Sequence, residues 1–204
     1  LSARYFRKEF ALRKQVKKAT AYIMGLGLYE LYINGKKVGD QVLAPSPTDY
    51  TKNIKYNVLD LTPLVKEGAH AIGVILGNGR FYAMRQAKPY KVKSFGFPKL
   101  QMQVKVTYSD GTTELIKTDD SWKGTTDGPI TANNEYDGEV YDARKELQGW
   151  ASLGYDDTAW IPAEYVQEPG GKYESQINRN MKVMQDIKPV SITSEDGKYI
   201  LDFG

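Results

Sequence analysis

The sequence has 204 residues, enough to bury one sizeable core as a single large β domain or two small ones. With 41% hydrophobic and 26% charged residues, 15 tyrosines and 19 glycines, its profile is that of a globular chain tilted toward strands and turns, which argues against disorder. The net charge of +3 is the balance of 28 basic and 25 acidic residues spread along the chain, which argues against a nucleic-acid partner, and the absence of cysteine excludes disulfides, thiolate metal sites and a cysteine nucleophile.

Period-two alternation dominates from the N-terminus. "YFRKEFAL" places Tyr5, Arg7 and Glu9 on one face of a strand and Phe6, Lys8 and Phe10 on the other. The basic run "RKQVKK" at 13–18 reads as a solvated strand edge or loop. "ATAYIMGLGLYELYINGKKVGD" predicts strand, break, strand and turn, with Tyr29, Leu31 and Ile33 on a common face. Asn34-Gly35 suits a two-residue type I′ hairpin, because both positions accept positive φ, and Lys36, Lys37 and Val38 form the return strand. "NIKYNVLDLTPLV" and "HAIGVILGNG" are two further strands, the second so uniformly apolar that it is expected at a sheet centre, buried on both faces. In "KLQMQVKVTYSDGTTELIKT", Leu100, Met102, Val104 and Val106 alternate with polar residues, Asp110-Gly111 turns, and Leu115 lies on the returning strand. The helical signals in "DLTPLVKEG" and "DARKELQGW" are each too brief to stand alone.

Short strands punctuated by Gly, Pro, Asn and Asp predict an all-β fold, an antiparallel β-sandwich or jelly roll spanning 1–170. "EPGGKYESQ", near 169, marks a hinge, and 171–204 is expected to form a β segment, either the sandwich edge or the start of a following β domain. No apolar run approaches the roughly 20 residues of a membrane helix, so no membrane partner is expected. The opening without an initiator methionine and the strand-like "YILDFG" at the end lead to the expectation of a piece of a longer protein, whose location is not legible.

Three stretches bear on chemistry. His70 stands alone at the entry to the apolar strand, where a structural role is expected, and this disfavours both serine–histidine catalysis and a histidine metal cluster. "LGNGRFY" lacks the third glycine and following helix of a dinucleotide site and reads as a strand-ending turn that leaves Asn78, Arg80 and Tyr82 near a loop end. "NNEYDGEVYDAR" sets Glu135, Asp137, Glu139 and Asp142 beside Arg144. Glycoside hydrolysis needs two carboxyls facing each other across a sugar, usually from separate elements, whereas these four fall within one short segment. Their repulsion is relieved by an arginine or by Ca²⁺, whose oxygen-rich shell they resemble. Structural pairing, binding of calcium or sugar hydroxyls, and catalysis stay open, ranked in that order. For the aromatic residues, 12% of the chain, core packing is expected ahead of stacking on sugar faces.

Taken in order, "LSARYFRKEFAL", the long block from "YELYINGKKVGD" through "TDYTKN" to "LGNGRFY", "DDSWKGTTDGPI", "NEYDGEVYDAR" and "GWASLGYDDTAWIPA" resemble the N-terminal β domain of bacterial α-L-rhamnosidases over nearly the whole chain. The resemblance implies a non-catalytic, galactose-binding-domain-like jelly roll in front of a helical (α/α)₆ barrel that carries the acids of an inverting glycosidase. It implies as partners that barrel, the other β domains of the parent chain and a rhamnose-containing glycan, and it places no catalytic residue in this chain. The alternative it offers is an autonomous calcium-dependent L-rhamnose-binding module. Residues on the matching blocks are then Asp49, Tyr50, Asn53, Asn78, Arg80 and Glu139 for sugar, and Asp137, Glu139 and Asp142 for Ca²⁺. Where the family often has a glycine and a large aromatic before "TDY", this sequence has Ser46 and Pro47, which places a stacking platform there in doubt.

Overall fold

A computed structural model describes residues 1–84 and 94–204. The first strands are β1 (Arg4–Leu12), β2 (Val16–Leu26), β3 (Leu28–Ile33), β4 (Lys36–Lys37), β5 (Gln41–Val42) and β6 (Asn53–Asp60). After a 3₁₀ turn at Thr62–Leu64 come β7 (Gly68–Gly77), β8 (Lys99–Tyr108), β9 (Thr113–Lys117), β10 (Lys123–Thr125), β11 (Ile130–Asn134) and β12 (Gly138–Tyr141). A second 3₁₀ turn, Ala143–Lys145, precedes β13 (Ile161–Pro162), β14 (Lys172–Ser175), β15 (Met181–Lys182), β16 (Ser191–Glu195) and β17 (Lys198–Asp202). Both helical signals in the sequence thus become single 3₁₀ turns.

Two sheets make the sandwich. One runs β13-β10-β1-β7-β3-β4 and the other β14-β6-β2-β8-β9. Their facing sides follow the period of two. Ala19, Ala21 and Ile23 of β2 with Met102, Val104 and Val106 of β8 oppose Tyr29, Leu31 and Ile33 of β3 and Ile72, Val74 and Leu76 of β7. Trp122 closes one side of this core and donates its indole N–H to the Lys117 carbonyl at 3.0 Å. Asn34 and Gly35 both take positive φ, 50° and 79°, and bring Ile33 opposite Lys36 as a type I′ hairpin requires. The β8–β9 hairpin pairs Lys105 with Leu115 around the Asp110-Gly111 turn.

β7 lies between β1 and β3, and its apolar run is buried on both faces because a third layer covers the six-stranded sheet from outside. That layer is the flap 143–160, whose Trp150 and Trp160 join Tyr5 and Ala3 in a second cluster. Trp150 meets Tyr5 edge-on at 5.2 Å and stacks on Trp160 at 6.4 Å. β1 therefore buries both its faces: Phe6, Phe10 and Leu12 join the sandwich core, while Tyr5 and Arg7 lie under the flap. His70 is also buried, with Nδ1 2.9 Å from Asn34 Nδ2 and Nε2 2.7 Å from the Lys66 carbonyl. Both ring nitrogens are thus hydrogen-bonded within the fold, which makes His70 a structural residue.

The stretch whose composition reads as a hinge is partly strand. Lys172–Ser175 forms β14 and pairs with β6, Lys172 opposite Asn53 through Ser175 opposite Tyr56. This is the one parallel pair among the described residues. β15 pairs with β5, whereas β16 and β17 pair with each other, and every residue of that hairpin is exposed.

Candidate functional site

One end of the sandwich gathers the loop after β7, the β11–β12 hairpin and the turn before β6. Asp49 fixes that turn by accepting from Thr51 N at 3.2 Å and Thr51 Oγ1 at 2.7 Å, and these bonds hold its carboxyl below the ordinary aspartate pKa. Asn53 opens β6, its N–H held by the Asp49 carbonyl at 2.9 Å and its own carbonyl by the Thr48 hydroxyl at 2.6 Å. Between them Tyr50 turns inward. It is buried edge-on against Phe81 and Phe95, both at 5.1 Å, and burial pushes its hydroxyl up to about 12. Its ring fills a small apolar cluster with Met24, Leu26 and Ile54 and offers no face to a ligand.

Asn78 is fully buried and joins three segments. Its Nδ2 donates to the carbonyls of Leu1 at 2.8 Å and Asn133 at 2.7 Å, its backbone N–H reaches Asn133 Oδ1 at 2.6 Å, and its Oδ1 accepts from Arg4 at 3.2 Å. Every polar atom of the amide is used internally, so Asn78 pins the loop. Gly79 permits this at φ +48°, where a Cβ would lie 2.8 Å from Leu28 Cγ. Arg80 then emerges at the surface. Its Nη1 donates to the Tyr136 hydroxyl at 2.5 Å and lies 3.5 Å from Glu135 Oε2, with the guanidinium 5.9 Å from the Tyr136 ring centre. Two residues on, Tyr82 stacks on the exposed Phe97 at 5.6 Å.

The acidic stretch occupies the exposed β11–β12 hairpin. Asn134 Oδ1 accepts from the backbone of Tyr136 at 2.8 Å and of Asp137 at 3.2 Å, and Gly138 takes φ +80° to complete the turn. Glu139 sits on β12 opposite Asn133. Asp142 accepts a bidentate pair from Arg144, Nε at 2.8 Å and Nη2 at 2.7 Å, and caps the 3₁₀ turn through Arg144 N at 3.1 Å. These bonds hold the Asp142 carboxyl below the ordinary aspartate value. Asp137, Glu139 and Asp142 do not converge: no group of three or more His, Cys, Asp or Glu side chains suited to a metal occurs among the described residues. That trio by itself does not make a Ca²⁺ shell, which needs six to eight oxygens.

The structure thus brings Asn78 and Arg80 to the acidic hairpin, next to the Tyr50 turn, and leaves Glu139 and Asp142 further along the same hairpin. The sequence reading missed Asn133, Tyr136 and Phe97. The Asn133-Asn134 doublet, two amides before a turn, is the signal that could have identified Asn133 as a loop brace; nothing local marks Tyr136 as the partner of Arg80. What the surface offers chemically is an arginine, a phenol and aromatic faces, a set suited to hydroxyl and C–H contacts of a sugar. Glu135, the acid nearest Arg80, is ion-paired to it.

Residues 14–185 match the family described as the α-L-rhamnosidase N-terminal domain. An α-L-rhamnosidase of Formosa agariphila is 40% identical over the whole of this chain, which spans 22% of that protein. Among solved structures, the α-L-rhamnosidase of Dictyoglumus thermophilum superposes with a TM-score of 0.86 at 47% identity, over 99% of this chain and 22% of that one. That of Streptomyces avermitilis, complexed with L-rhamnose, superposes with a TM-score of 0.88 at 35% identity, over 99% and 20%. The chain therefore spans about a fifth of the length of the relatives it matches.

Proposed function

Because this chain belongs to the α-L-rhamnosidase N-terminal domain family, we propose that it is the non-catalytic accessory sandwich of a longer α-L-rhamnosidase, an inverting glycosidase whose acids lie on a helical barrel elsewhere in the chain. The observation that carries this reading is the superposition of the whole sandwich on about a fifth of an enzyme that bears that name. The acidic hairpin supports it, since Asp142 and Glu135 are engaged by arginines rather than set across a pocket at the spacing of a glycosidase pair. In this reading the sandwich of 1–170 gains an edge strand from β14, and the exposed β16–β17 hairpin is the start of a following β domain of the parent. An aryl α-L-rhamnoside assay of the 204 residues should show no hydrolysis. Hydrolysis abolished by Glu135→Gln or Glu139→Gln would overturn the reading.

A second reading, an L-rhamnose-binding module, is favoured by two pairs from the loop after β7, Arg80 with Tyr136 and Tyr82 with Phe97. Calorimetric titration of L-rhamnose with and without Ca²⁺ tests it. A calcium-dependent heat lost in Arg80→Ala would support it, and equal, flat titrations would remove it.

A further inference from the structure

Residues 176–184 run from β6 to β5 with their polarity reversed. Gln176 donates its backbone N–H to the Tyr56 carbonyl at 2.9 Å and accepts from Ser46 N at 2.9 Å, while Asn178 donates to Ser46 Oγ at 2.7 Å and accepts from Lys55 at 3.1 Å. Asn180 accepts from Asn57 at 3.3 Å, and Lys182 pairs with Asp40 at 2.5 Å. The polar side chains thus bind the sandwich. The apolar ones do the opposite: Ile177 is 96% exposed, Met181 54%, Val183 62% and Met184 88%. Beside Val42, the β5 partner of Met181, Leu43 is exposed as well and takes φ +53°, which a bulky side chain rarely adopts. Apolar side chains turned outward together mark an interaction surface. What covers it is constrained by the chain itself, because only residues 185–190 separate Met184 from β16, and at full extension they reach about 25 Å. Any domain that begins with the β16–β17 hairpin is held that close to the strip. So short a tether sets an effective concentration in the millimolar range, well above that of a second copy in dilute solution. There is polypeptide to supply such a domain, since this chain spans only 22% and 20% of the two enzymes on which it superposes.

We propose that the β domain of the parent that starts with β16 and β17 docks an apolar face on Leu43, Ile177, Met181, Val183 and Met184. The proposal rests on the accessory-domain reading for the existence of that domain. The test places the photo-cross-linker p-benzoylphenylalanine at Ile177 and, separately, at Met184 of the full-length parent, with the exposed Thr158 of the flap as control, and maps the products by mass spectrometry. Both strip positions should cross-link within the same chain to the domain that contains β16 and β17, and Thr158 should not. In parallel, tryptic cleavage after Lys182 should run about tenfold or more slower in the parent than in the 204-residue chain, and Ile177→Asp/Met184→Asp should remove most of that difference. Cross-links to a second copy or to any other domain, no cross-link from either position, or equal cleavage rates in parent and 204-residue chain would overturn the docking. Hydrolysis of an aryl α-L-rhamnoside by the same parent reports on the accessory reading separately. An active parent without these cross-links sinks the docking alone, and an inactive parent that cross-links as expected sinks that reading and keeps the docking.

Discussion

Arg7 on β1 and Asp157 in the flap, 150 positions apart, form a salt bridge in which the arginine side chain is 2% exposed and the aspartate 19%. Arg7 also binds Glu9 at 2.6 Å and the carbonyls of Trp150 at 2.9 Å and Ser152 at 3.0 Å, so one guanidinium fastens the flap to the sheet. Asp157→Ala removes a partner from a buried charge. The expected loss is about 3 kcal/mol in urea unfolding, the low end for a broken buried pair because Glu9 remains. The double variant Arg7→Met/Asp157→Ala should recover part of that loss, and a double variant less stable than Asp157→Ala would refute this account.

The same pair sets an acid limb. Burial raises the Asp157 carboxyl, but hydrogen bonds and charge from Lys123 and Arg7 outweigh it and leave the pKa below the ordinary 3.8. A carboxyl depressed in the folded state stabilises above its unfolded pKa, and that stability drains away as pH falls through the folded value. Melting temperature should therefore decline below about pH 4. In Asp157→Asn the decline should be shallower; an identical acid limb would show that the pair carries no pH dependence.

Gly73 of β7 lies directly beneath the flap, where a Cβ would stand 2.5 Å from Trp150 Cζ3 and 2.9 Å from Ala151 Cβ. Gly73→Val should lift Trp150, cost about 1–3 kcal/mol as overpacking does, and red-shift tryptophan emission. Unchanged emission at unchanged stability would mean the flap is not seated on β7.

His70→Leu removes the bonds that the buried ring makes to the Asn34 amide and the Lys66 carbonyl, both on exposed residues. The expected cost is about 1–3 kcal/mol by chemical denaturation, with no effect on any ligand titration. A variant as stable as the parent would show that these bonds add nothing to the fold.

Sequence pattern revealed what is local and two-periodic. The Asn34-Gly35 hairpin, the inward row Met102, Val104, Val106 and the central place of β7 all follow from neighbours within a few residues. Less legible was whatever depends on a third layer. Tyr5, Arg7 and Glu9 read as one face of a strand, and only the flap some 140 residues later explains why two of them are buried. Lys172–Ser175 carries no pairing signal of its own and becomes strand because β6 presents a free edge to it. At the candidate site, Asn78 and Arg80 could be placed at a loop end, but their partners Asn133, Glu135 and Tyr136 arrive from another hairpin, and no spacing rule joins the two.

The strand order has a bearing on solubility. The six-stranded sheet ends on β13 and β4, each two residues long, too short to template a neighbouring chain, and one margin of the five-stranded sheet is occupied by β14, drawn from the same polypeptide. At those three borders the sandwich is self-limiting: each ends on a strand of four residues or fewer, so backbone groups that would seed lateral growth into fibres are scarce.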